Sequence, residues 1–138
     1  ELLGEAYMKA NRPREAAAAF AKADKAAKSK SGLIQIGLGQ ALVAAGDPES
    51  LERATKVLRA GLDREPEYGA GYRSLAQAYG QLGRVAEADL AMADGHFYSG
   101  NYKDAKLFAA RAQQKFKRGA PGWLRAQDII NYKAPSRK

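Results

Sequence analysis

The chain has 138 residues, a net charge of +8 and no cysteine. That length suits one domain with room for a proper core. Without cysteine it can form neither a disulfide nor a thiolate metal site. No apolar run approaches the roughly 20 residues that cross a bilayer as a helix. Apolar residues make up 46% of the chain, much of it alanine, with only 5 prolines, and this favours helices that pack closely.

The first stretch, Glu1-Leu2-Leu3-Gly4, already reads as helix interior. The chain is therefore expected to be a fragment of a longer protein, with no signal peptide of its own. Apolar spacing of three and four predicts helices over 1–10, 13–27, 32–45, 48–63, 67–81, 84–98, 101–117 and 121–131. The breaks between them have physical causes. Gly46, Gly83 and Gly100 suit the left-handed turn that ends a helix. Asp47 can cap a helix that begins at Pro48, and Asn101 can cap the helix at 101, with Asp104 in its first turn. Ala16, Phe20 and Ala23 form one apolar stripe. Leu75, Tyr79 and Leu82 form another, and Ala105, Phe108, Ala109, Ala112 and Phe116 a third. The tail residues Trp123, Leu124, Ile129, Ile130 and Tyr132 are expected to cap the end of the stack; stack ends left open would instead pair into a homo-oligomer.

Self-similarity at about 34 residues organises these helices into pairs. Leu3-Gly4, Tyr7, Ala16, Phe20 and Ala23 mark a first unit. Leu38-Gly39, Leu42, Gly46, Ala54, Leu58 and Pro66 mark a second, and Tyr72, Leu75-Ala76, Tyr79, Gly83 and Ala88 a third. These residues resemble the tetratricopeptide (TPR) signature. The expected fold is all-α, a TPR-type helical-hairpin solenoid of about eight helices with a short C-terminal capping helix. The repeats fall at 1–30, 31–66 and 67–100, with a partial repeat at 101–118 and a cap and tail at 119–138. Small residues (Gly4, Gly39, Ala76) should sit where helices touch, and large ones (Tyr7, Phe20, Leu58, Tyr79) should fill the spaces between. Gly100-Asn101-Tyr102 comes about half a repeat early, so the helix at 84–98 should serve two pairs.

The run Gln77-Ala78-Tyr79-Gly80, then Ala88-Asp89-Leu90-Ala91, Gly100-Asn101-Tyr102 and Lys117-Arg118-Gly119-Ala120-Pro121-Gly122-Trp123-Leu124-Arg125-Ala126 resembles the C-terminal TPR region of BepA-like bacterial zinc metalloproteases. The opening Glu1-Leu2-Leu3-Gly4-Glu5-Ala6-Tyr7 is similar to the start of that region. The resemblance implies a periplasmic parent whose protease domain binds zinc through a His-Glu-x-x-His motif. It also implies that this part recruits substrates or outer-membrane assembly machinery. No such motif lies in this chain, so only the recruiting half is expected here, without a cofactor. The alternative is a stand-alone TPR adaptor or scaffold.

Searches for chemistry within the chain fail on simple counts. A helical zinc site needs two histidines a turn apart, and His96 is the single one. Gly37-Leu38-Gly39 lacks the third glycine of a dinucleotide loop. Asp63 and Glu65 read as ordinary carboxylates at a helix end. Binding is therefore expected on the concave face, through Glu5, Met8, Ile36, Gln40, Val43, Arg73 and Gln77, with Gly80 alongside. Arg73 and Gln77, four apart on one helix, should supply polar contacts to an extended or helical protein segment. Cations concentrate at Lys103, Lys106, Arg111, Lys115, Lys117 and Arg118. Aromatic residues do not interleave with them as base stacking requires, so nucleic acid is not an expected partner.

Overall fold

A computed structural model describes residues 3–135. It is all-α: eight helices run α1 (Leu3–Lys9), α2 (Pro13–Ala26), α3 (Gly32–Ala45), α4 (Pro48–Arg64), α5 (Gly69–Gln81), α6 (Val85–Tyr98), α7 (Tyr102–Lys115) and α8 (Pro121–Asn131). These bounds follow the apolar periodicity closely. None of the helices is long and apolar enough to cross a membrane.

Turn chemistry explains the breaks. Gly46, Gly83, Gly100 and Gly119 all adopt positive φ, between 77° and 84°, and the first three were expected on sequence grounds. Asp47 accepts from the Ser50 N–H at 3.0 Å and caps α4, whose first residue is Pro48. The Ser50 hydroxyl, donating to Asp47 at 2.7 Å, and that backbone bond hold the Asp47 carboxyl below its ordinary value. Asn101 departs from expectation: it stands at the start of α7, but its side chain donates to Asp104 Oδ2 at 2.8 Å and caps no backbone N–H. Ser31 caps α3 through the Ile34 N–H.

Consecutive helices pack as hairpins, and the hairpins stack in a solenoid-like row. α1 touches α3, and α3 touches α5, so these three helices form one continuous layer. The row then shifts. Among the described residues α5 does not meet α7; instead α6 meets α8. α6 thus closes one pair and opens the next, as the early Gly100 turn implied. Its two faces divide accordingly. Ala91 belongs to a large apolar cluster built from α2–α6, while Leu90 and Ala93 belong to a smaller one with Ala105, Ala109, Ala112, Ala126 and Ile129.

Glycines set the helix spacing in the first cluster. A methyl added to Gly4 would stand 2.5 Å from the Phe20 ring, and one on Gly39 would overlap Leu58. Phe20, Leu58 and Tyr79 are buried, and Tyr7 packs half-buried against them. Ala76 likewise packs against this core. At the C-terminal end Ile129 is buried, and Tyr132 meets the rings of Phe97 and Tyr102 at 4.8 and 4.9 Å. Leu124 does not join this cap; it is 51% exposed.

Candidate binding groove

Three of the layered helices, α1, α3 and α5, wall a cleft of about 520 Å³, with Phe20 of α2 reaching its floor. Its lining combines apolar Met8, Val43 and Ala44 with neutral Gln40, Ser74 and Gln77. Glu5 and Lys9 stand at the α1 side. Gln40, Ser74 and Gln77 make no side-chain hydrogen bond to the described residues, so their amide and hydroxyl groups are available to a guest.

Five of the residues expected on the concave face meet in this cleft: Glu5, Met8, Gln40, Val43 and Gln77. Two do not. Ile36 is 1% exposed; it shares a helix face with Gln40 and Val43 but sits a turn earlier along α3, where it is covered by α4 at Gly61 and by α5 at Gly71. Arg73 lies one turn before Gln77 but lines a separate, smaller depression with Tyr72, Met92, Gly95 and His96, between α5 and α6. Gly80 is exposed, with open space where a Cβ would stand. Lys9, Ala44 and Ser74 were missed, although each stands three or four residues from a predicted groove residue on the same helix. Phe20 was read only as core, since nothing in local spacing shows that a second-row side chain reaches the groove floor.

A second cleft, of about 360 Å³, opens between α4, α5, α6 and α8 and is polar. Asp94 sits in it, paired with Arg125 at 2.8 Å. Burial pushes the Asp94 carboxyl above its ordinary value, outweighing the pull of that guanidinium. Arg125 also lies over the Phe97 and Tyr98 rings, and Arg59 donates to the Tyr79 hydroxyl at 2.6 Å. The Asp94–Arg125 pair ties α8 to α6. His96 stacks on Phe108 at 5.3 Å. Zinc, which the resemblance assigns to a parent protease domain, finds no fitting donor set here: the described residues hold no group of three His, Cys, Asp or Glu able to ligate a metal.

Comparison of the sequence with protein-family models and with curated proteins gives no match. The functional reading therefore rests on the geometry and on the residues themselves.

Proposed function

We propose that the chain is a non-catalytic interaction module of the TPR type, and that the α1–α3–α5 groove holds a short segment of another protein. The observation that carries this reading is the convergence of Glu5, Met8, Gln40, Val43 and Gln77, from three helices, on one cleft. Apolar Met8 and Val43 suit a bulky side chain, and the unengaged amides of Gln40 and Gln77 suit a peptide backbone. The sequence resemblance extends the proposal. In a BepA-like parent the groove would present substrates, or outer-membrane assembly partners, to a periplasmic zinc protease domain.

The test is a titration of isotope-labelled protein with peptides copied from outer-membrane β-strands, read by NMR. Binding shifts should centre on Met8, Gln40, Val43 and Gln77, and a Gln40→Glu/Gln77→Glu double variant should weaken the affinity about tenfold or more, the worth of one or two lost hydrogen bonds. Arg73→Glu, outside the cleft, should weaken it far less. Shifts confined to the Arg73 depression, or peptide binding indifferent to both glutamines, would dismiss the groove as the site.

A further inference from the structure

The outward face of α7 is a distinct surface, built from the opposite end of the chain. Its buried side is Ala105, Ala109 and Ala112. On the other side, at spacings of three and four, come Lys103, Lys106, Leu107, Ala110, Arg111 and Gln114, and Lys117 and Arg118 follow, exposed, in the turn between α7 and α8. From Gly100 to Gln127 the only acidic residue is Asp104, and Asn101 already donates to it. Lys103, Lys106 and Lys117 have no side-chain partner among the described residues. Lys115 is different: it is paired with Asp89. Arg111 lies over Phe108 and Arg118 over Trp123. In the middle of the stripe Leu107 is 51% exposed, with cations on either side.

We infer that the α7 face docks on an anionic lipid surface, with Lys103, Lys106, Arg111, Lys117 and Arg118 over the headgroups and Leu107 entering the boundary between headgroups and acyl chains. Charge complementarity selects an anionic partner. The exposed leucine selects among anionic partners. A phosphodiester backbone gives Leu107 nothing to enter, whereas at a bilayer an exposed apolar side chain can sink below the headgroups while the flexible lysines around it stay over them. Lysines without fixed partners suit mobile headgroups better than the fixed carboxylates of one protein face.

The experiment is co-sedimentation of the folded chain with vesicles of phosphatidylglycerol and phosphatidylcholine, against phosphatidylcholine alone. Binding is expected to the first and not to the second, and to fall steeply with added salt. Each of Lys103→Gln, Lys106→Gln and Lys117→Gln should lower the partition coefficient roughly fivefold. Leu107→Ala leaves the charge unchanged; it should also weaken vesicle binding several-fold. Circular dichroism of each variant should overlay the parent spectrum. Vesicle binding that ignores the three lysines would overturn the proposal. So would tight binding to duplex DNA or to polyglutamate, insensitive to Leu107→Ala, with none to anionic vesicles.

Discussion

The two apolar clusters solve the same packing problem with different weights, although Phe116 against Gly122 repeats in the second the glycine gaps of the first. Between α2 and α6 large side chains enter gaps left by glycines: Phe20 against Gly4 and Gly37, Leu58 against Gly39, Leu62 against Gly71. Between α6 and α8 the buried residues are mostly alanines, with Leu90 and Ile129 the only large ones. There the spaces are closed from the rim, by Phe97, Phe108, Phe116 and Ile130. The first arrangement concentrates energy in a few deep residues. The second spreads it over short contacts and leaves the outer rings half-exposed.

That contrast can be broken deliberately. The largest effect is expected from Leu58→Ala, at a fully buried position facing Gly39. With glycine already opposite, nothing can fill the void, and the loss should be about 2–5 kcal/mol. A urea melt shifted by much less would mean that the helices close over the gap. Ala109→Val tests the other cluster, where the small side chain sets the helix approach. Overpacking there should cost about 1–3 kcal/mol. Hydrogen exchange should quicken in α7 and α8 before α3 and α4; uniform quickening would mean that the clusters unfold as one.

The smallest effect concerns the ion pair that joins α6 to α8. A carboxyl raised by burial holds its proton more tightly in the folded state than in the unfolded one. Asp94 therefore favours folding at acid pH, and that contribution is lost as pH rises from the unfolded value through the raised folded one. Asp94→Asn should remove this slope. The stability difference between the two proteins should change as pH rises from the ordinary carboxylate value upward. A difference constant over that rise would show that the Arg125 pairing cancels the effect of burial.

Much of the fold was legible because its signals are local. Positive-φ glycines, the Asp47-Pro48 start and three-and-four apolar spacing each act within one or two turns of chain. Even the shift of row at α6 was visible, since Gly100 arrives half a repeat after Gly83. Site residues were legible only in part. A helix of the α1–α3–α5 layer has to serve both the groove and its neighbours, and which residue goes where depends on where along the helix those neighbours cover it. Ile36 lies under α4 and α5, at Gly61 and Gly71, while Gln40, one turn on along the same face, reaches the groove. Arg73 and Gln77 share a helix face yet border different hollows, because α6 leans against α5 near Tyr72: Gly95 lies so close that a methyl on it would stand 2.9 Å from the Tyr72 Cβ. Such distances between elements leave no trace in spacing.

The change of row at α6 also works as a ruler. Because α7 does not continue the α1–α3–α5 layer, the trough ends at α5 on that side. At ordinary axis separations of about 8–10 Å, three helices span about 20 Å between the outer axes. An extended chain covers that distance in about six residues. On the proposed function, a guest lying across these three helices would be read over a hexapeptide-sized window, and its chain beyond α5 would leave the trough.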